Sequence, residues 1–289
     1  MITVNAYAKI NFALEVLGKR EDKYHEIVSI MQTVSLKDVL TFEDAEDISL
    51  NCDVKGLSNS DNLVQKAAEL LKTETGYSGG VHVELYKGIP VSAGLGGGSS
   101  DAAATLKGLN SLWQLDLSTD ELSLFGATLG SDVPFFLHGG TAMVHGRGEK
   151  VRVMPPTDLE WVIILVPAIS LPRKTAELYS KVTCGDYTKG ALTRKLETRI
   201  RGKGDLPPQL LFNVFDDIAL SVFYGLDQYW DVFHSLGVRE IHLAGSGPAL
   251  YAPISLKEIG TAVQAILEYR YGWQAYLTST RIFNEPLTQ

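Results

Sequence analysis

Four glycines fall within the five positions from Gly94 to Gly98, in the run Lys87-Gly88-Ile89-Pro90-Val91-Ser92-Ala93-Gly94-Leu95-Gly96-Gly97-Gly98-Ser99-Ser100-Asp101. Glycines let backbone N–H groups close on an anion and accept the positive φ angles of a concave nest. Val81, Val83 and Leu85 alternate with polar residues ahead of this run, and Ala102, Leu106, Leu109 and Trp113 recur at helical spacing after it. The expected order is strand, glycine loop, helix, and the helix N-terminus adds free N–H donors and the positive end of a dipole. Such an arrangement suits a nucleotide's phosphates. Two better-known glycine motifs are excluded: no lysine follows Gly98, as a P-loop requires, and the third glycine of a dinucleotide fingerprint would fall on Ser99. A flexible loop or a glycine-assisted helix contact is the plainer alternative.

Other residues could act beside that loop. Ile2, Val4, Ala6, Ala8, Ile10, Phe12, Leu14 and Val16 share one parity, which predicts one long or two consecutive strands. Lys9 and Asn11 then project together from the face away from the core. Asp132, in Gly130-Ser131-Asp132-Val133-Pro134, is either a general base or a simple helix cap. Lys9 alone could equally be an exposed strand lysine. Tyr24, His25 and Tyr179 offer stacking faces for a nucleobase, or are ordinary half-buried rings. Gly245-Ser246-Gly247-Pro248 is a second phosphate-facing turn or an ordinary tight one. The 6 histidines show no metal-site spacing.

The elements that must position these residues alternate along a chain of 289 residues with 45% hydrophobic and 21% charged composition, which excludes general disorder. A formal charge of −8 argues against holding nucleic acid by counterion release. Cys52 and Cys184, the only 2 cysteines, form neither a disulfide framework nor a zinc site, which fits a reducing cytoplasm. No stretch approaches the length of a membrane helix, and no basic leader with an apolar block marks a signal peptide. Further strands are expected over 27–36, 39–42, 48–54, 141–144, 161–166, 240–243, 249–253 and 274–280. Helices are expected over 62–72, 119–129 (ended by Gly130 in a left-handed turn), 175–181, 210–222 and 259–271. Residues 199–208 read as a mobile Gly/Pro-rich loop. Pro155-Pro156 marks the expected domain boundary, giving 1–156 with the phosphate loop and 157–289 completing a substrate cleft.

The run from Pro90 to Ser100 resembles the phosphate loop of the GHMP small-molecule kinases, named for galactokinase, homoserine kinase, mevalonate kinase and phosphomevalonate kinase. Ala8-Lys9-Ile10-Asn11-Phe12, Tyr24-His25-Glu26, Gly130 to Pro134 and Ala244 to Pro248 extend the resemblance over most of the chain. Together they narrow it to the branch that phosphorylates 4-diphosphocytidyl-2-C-methyl-D-erythritol in the non-mevalonate isoprenoid route. The resemblance implies a two-domain α+β fold, with a ribosomal-protein-S5-like N-terminal domain and a ferredoxin-like C-terminal domain. It implies ATP as co-substrate and Mg²⁺, the latter on Ser100 or an acid. It puts Lys9 and Asp132 in the catalytic positions, Pro90, Val91, Ser92, Ala93, Gly94, Leu95, Gly96, Gly97, Gly98, Ser99 and Ser100 around ATP, and Asn11, Tyr24, His25 and Tyr179 against the substrate, with Tyr179 stacked on cytosine. The sequence departs from the pattern at Tyr7 (a proline is usual), Lys23 (glycine), Val214 (an acid) and Asp216 (glutamate). Another kinase of the family, or a nucleotide-binding module that has lost activity, are the alternatives.

Overall fold

A computed structural model describes residues 1–204 and 206–280. The alternating N-terminal run forms one strand of 18 residues, β1 (Ile2–Lys19), which pairs antiparallel with β2 (His25–Ala45). A strand as long as β2 outruns any single partner on its second edge. Its C-terminal half pairs with β4 (Gly80–Tyr86), itself beside β3 (Ile48–Cys52), and its N-terminal half with β5 (Thr141–Gly146), which continues to β6 (Lys150–Val153). Helix α1 (Leu63–Thr75), capped by the Asn62 side chain, connects β3 to β4. Helices α2 (Gly97–Leu112), α3 (Thr119–Leu129) and α4 (Val133–His138) follow the glycine loop; α2 packs on β1 and β2, and α3 packs outside it against α1, α2 and α4. Ile2, Val4, Ala6, Phe42, Leu106 and Phe135 belong to the core they enclose.

The second half begins with β7 (Trp161–Val166), then α5 (Lys174–Lys181), α6 (Ala191–Arg201), β8 (Phe212–Asn213), α7 (Phe215–Val222), α8 (Leu226–Ser235), β9 (His242–Leu243), β10 (Leu250–Ile254), α9 (Lys257–Tyr271) and β11 (Gln274–Ser279). Its four strands β11-β7-β10-β9 form a separate antiparallel sheet. The unbroken apolar run of β7 is explained by burial on both faces: Ile163 and Leu165 enter the C-terminal core, whereas Val162 and Ile164 enter a cluster shared with Ile10, Phe12, Leu95 and Tyr251 of both halves. No helix among the described residues is long and apolar enough to cross a membrane.

Several expectations need correction. Lys9 and Asn11 do leave the face that carries Ile10, but they are 4% and 0% exposed, because the glycine loop and the second half cover that face too. A register shift between Asn11 and Ala13 then redirects β1, so Leu14 and Val16 join the C-terminal core rather than the N-terminal one. Gly130 has φ 177°, an extended conformation open to any residue, and not a left-handed one. The helix expected over 210–222 begins at Phe215, since Phe212–Asn213 pair in parallel with β1. The loop expected over 199–208 starts after Arg201, where α6 ends; its residue 205 lies outside the described residues.

Candidate active site

The backbone N–H of Lys9 donates to the Leu95 carbonyl at 2.9 Å, which ties β1 to the glycine loop. From that anchor the Lys9 ammonium donates to Asn11 Oδ1 at 2.8 Å and lies 3.6 Å from Asp132 Oδ2. Asn11 is held in turn: its Nδ2 donates to Ser29 Oγ at 2.8 Å, and its carbonyl accepts the Tyr251 hydroxyl at 2.6 Å. The Asp132 side chain makes no capping bond to α4, although it occupies the cap position. Its carboxylate is thereby left for the cleft, and Pro134 in the first turn lessens the need for a cap.

The glycine loop has the conformation its composition predicts. Gly94 has φ +94°, and a β-carbon there would collide with the Ala244 carbonyl oxygen. Gly96 caps α2 with φ +77°, and a β-carbon on it would meet the Phe136 ring at 2.7 Å. The first helical bond runs from Ser100 N to Gly96 O, so the N–H groups of Gly97, Gly98 and Ser99 precede it at the positive end of α2. Pro90 to Ser99 line a pocket of about 360 Å³ together with Leu57, Asn62, Leu63, Lys87 and Asp101. Ser100 is turned away from it: its hydroxyl donates to the Tyr7 carbonyl at 2.7 Å and the residue is 2% exposed, which argues against it as a metal ligand.

A buried charge cluster fixes the base of the loop. Asp38 Oδ1 accepts from the backbone N–H groups of Gly88 and Ile89 at 2.7 Å each, while the Lys87 ammonium bridges Asp38 and Asp101. Burial pushes the Asp101 carboxyl up to about 8 against the pull of Lys87, and its Oδ1 has no hydrogen-bond partner. Burial works against the Lys87 charge, but Asp101 and Asp38 outweigh it and raise its pKa. Neither Asp38 nor Lys87 was singled out from sequence; an aspartate amid the apolar residues of β2 was the available signal.

At the other end of the cleft His25 stacks on Tyr179, ring centroids 5.1 Å apart at 20°, and Phe215 meets Tyr179 edge-on at 4.9 Å. Burial, then the charge of Lys19, lowers the His25 pKa, so the imidazole is neutral at pH 7. Burial and the nearby charge of Asp132 raise the pKa of the Tyr179 phenol, which keeps it neutral as well. Tyr24 is 57% exposed and apart from this stack; the Arg147 guanidinium lies 4.9 Å above its ring. Arg147 also escaped the sequence reading. It sits between Gly146 and Gly148 at the turn beside Asp132, where a β-carbon on Gly148 would lie 3.5 Å from Asp132 Oδ1.

The Gly245-Ser246-Gly247-Pro248 turn closes the site from the second half. A β-carbon on Gly245 would lie 2.7 Å from Lys9 Nζ and 3.3 Å from Asn11 Oδ1. Asn213 holds this turn through Nδ2, which donates to the carbonyls of Leu243 and Gly245 at 2.8 and 2.9 Å. Asp216 supports it from below, accepting from Leu243 N at 2.7 Å and pairing with His242 Nδ1 at 2.8 Å. Lys174 and Thr175 of α5 bond to the same turn. Among the described residues no three His, Cys, Asp or Glu side chains gather as a metal site.

Taken together, the geometry offers an anion cradle, a cation–carboxylate pair at its mouth and an aromatic wall beyond. The family model described as "GHMP kinases N terminal domain" matches residues 62–140. A 4-diphosphocytidyl-2-C-methyl-D-erythritol kinase of Dehalococcoides mccartyi is 42% identical over 281 residues, covering 97% of this chain and 98% of its own length. A crystal structure of 4-(cytidine 5'-diphospho)-2C-methyl-D-erythritol kinase superimposes with a TM-score of 0.80 at 30% identity, over 96% of this chain and 98% of that one. The homoserine kinase of Cytophaga hutchinsonii shares the fold, with a TM-score of 0.75 at 15% identity over 97% and 95% of the two chains. With relatives this similar over nearly its whole length, and with the fold of the GHMP kinases, the chain belongs to the 4-diphosphocytidyl-2-C-methyl-D-erythritol kinase family.

Proposed function

We propose that this kinase transfers the γ-phosphoryl group of ATP to the 2-hydroxyl of 4-diphosphocytidyl-2-C-methyl-D-erythritol, giving the 2-phosphate and ADP. The observation that carries the reading is the 3.6 Å approach of Lys9 to Asp132 at the mouth of the glycine loop. Because phosphoryl transfer passes through a largely dissociative transition state, the protein's task is to align an alcohol oxygen with the terminal phosphorus and to stabilise charge. Asp132 accepts the hydroxyl proton, and Lys9 stabilises the developing alkoxide and the oxygens in flight. Asn11 fixes the Lys9 ammonium through Oδ1. The N–H groups of Gly97 to Ser99 and the α2 dipole hold the phosphates of ATP, with Lys87 setting the base of the loop.

His25 and Tyr179 are the wall for cytosine, a neutral imidazole and a neutral phenol offering faces and hydrogen-bonding edges without a charge. Arg147, over the Tyr24 ring and beside the Asp132 turn, is a cation at the edge of the site that could meet an acceptor phosphate. Mg²⁺ would enter with ATP, where it would neutralise phosphate charge and ask for few ligands from the protein. Ser99, which lines the loop pocket and whose hydroxyl lies 3.7 Å from where a β-carbon on Gly130 would be, is the side chain that would hold it, leaving Asp132 to the proton. We read 1–156 and 157–289 as the two domains, and the cytoplasm as the location.

A competition assay tests the reading: Mg-ATP offered with the cytidylated methylerythritol, homoserine and mevalonate. Phosphorylation of the first alone is expected. Preference for either of the others, or ATP binding with no alcohol phosphorylated, rejects it.

A further inference from the structure

Lys174 opens α5, the end of a helix at which a cation is disfavoured. Its ammonium is half-buried, donates to the Gly247 carbonyl and lies 3.4 Å from both the carbonyl and the hydroxyl oxygen of Ser246. All of these partners are neutral, and among the described residues no carboxylate pairs with it. Burial first, and the charge of Lys9 second, lower its pKa to about 8. A cation withdrawn from water, given only neutral oxygens and set near another cation costs stability until an anion completes it.

The turn that Lys174 grips is also the turn that meets the glycine loop. A β-carbon on Gly94 would lie 2.7 Å from Gly247 N and 2.8 Å from Gly247 O, and Ala249 N donates to Ala93 O at 3.0 Å. Lys174 therefore stands on the wall that the second half contributes, facing the phosphate loop across the turn and near Lys9. We propose that Lys174 binds a phosphoryl oxyanion in the cleft, as a second cation beside Lys9 supplied from the opposite wall. The inference rests on the kinase reading for the identity of the ligand, which offers two sources of this anion: the terminal phosphate of ATP and the diphosphate of the acceptor.

The test uses the full chain with Lys174→Met and Lys174→Arg, measuring equilibrium binding of ATP, ADP and CDP together with the thermal midpoint. Loss of an ionic hydrogen bond to phosphate predicts at least about tenfold weaker binding in Lys174→Met. Loss for ATP and not ADP identifies the terminal phosphate, and loss for CDP identifies the acceptor diphosphate. Lys174→Arg keeps the charge and retains most of the affinity. The thermal midpoint of Lys174→Met weighs removal of an ammonium that lacks an anion against loss of its bonds to Ser246 and Gly247, so it is read together with the affinities. Unchanged binding of all three nucleotides overturns the inference, as does a lowered midpoint with unchanged affinities, which would make Lys174 a brace for the turn. These binding measurements do not need turnover. If no alcohol is phosphorylated the kinase reading fails on its own assay, and the ATP, ADP and CDP affinities together still decide whether Lys174 binds a phosphoryl oxyanion.

Discussion

A β-carbon on Gly245 would lie 2.7 Å from the Lys9 ammonium, so the C-terminal turn limits where the N-terminal lysine can be. Gly245→Ala would push Lys9 away and strain a backbone at φ +58°. Misplacement of a reacting group by about 1 Å can cost on the order of 100-fold in rate. The expected outcome is a fall in kcat of that order with little change in ATP affinity, read by steady-state kinetics beside calorimetric titration. Equal losses in kcat and nucleotide binding would show a collapsed cleft rather than a displaced lysine.

Asp132→Asn removes the proton acceptor and keeps the shape. Loss of a general base costs on the order of 100 to 10,000-fold in turnover. The side chain caps no helix, so the loss of thermal stability should be confined to that of leaving the buried Lys9 ammonium without its carboxylate, and nucleotide binding should hold. Near-normal turnover would refute the assignment.

Tyr179→Leu should raise KM for the cytidine acceptor and leave KM for ATP alone. Aromatic stacking worth ~0.5–1.5 kcal/mol corresponds to an increase of up to about tenfold. A change confined to ATP would move the aromatic wall to the wrong ligand.

Lys23 adopts φ +70°, the left-handed conformation a glycine takes freely. Lys23→Gly removes a strain of about 1 kcal/mol, offset in part by the greater freedom of glycine in the unfolded chain. A small upward shift of the denaturant midpoint is expected; a clear downward shift would mean that the lysine side chain itself holds the turn.

The Asp101 carboxyl, raised to about 8 by burial, gives a pH dependence of defined sign. In the unfolded chain it titrates near pH ~3.9, so between the two values the fold holds a proton that the unfolded chain does not. Its contribution is present in full below the lower value, declines as pH rises and is lost above about 8. Asp101→Asn should flatten the decline in chemical stability between about pH 5 and about pH 8, the interval bounded by the two titrations. An unaltered slope would assign the decline to other groups.

The glycine loop and the strand of Lys9 were legible because period-two alternation and a run of glycines are local signals. Asp132 was legible only as one of two options, since Gly-Ser-Asp-Val-Pro suits a cap as well as a base; the absence of a capping bond in three dimensions removes support for the cap and leaves the base as the proposal. Helix α6 was not expected because charged residues (Arg194, Lys195, Glu197, Arg199 and Arg201) interrupt its apolar spacing and only Thr193, Leu196 and Ile200 are buried. Helix α8, rich in aromatic residues, gave no clear period. Lys174 and Arg147 were missed for a different reason. Each is an unremarkable surface residue in sequence, and its place beside the cleft comes from turns and helix ends packed by distant segments.

Strand β8 contributes only Phe212 and Asn213 to the N-terminal sheet, yet it lies against the free edge of β1. Glu15 of the same strand, 0% exposed, accepts from the backbone and hydroxyl of Thr193 in α6. A polypeptide severed at the Pro155-Pro156 link would strip β1 of β8 and α6, leaving an open backbone edge and uncovering Leu14 and Val16, which the C-terminal core now buries. The two pieces would have to be produced together to fold, however distinct their sheets are.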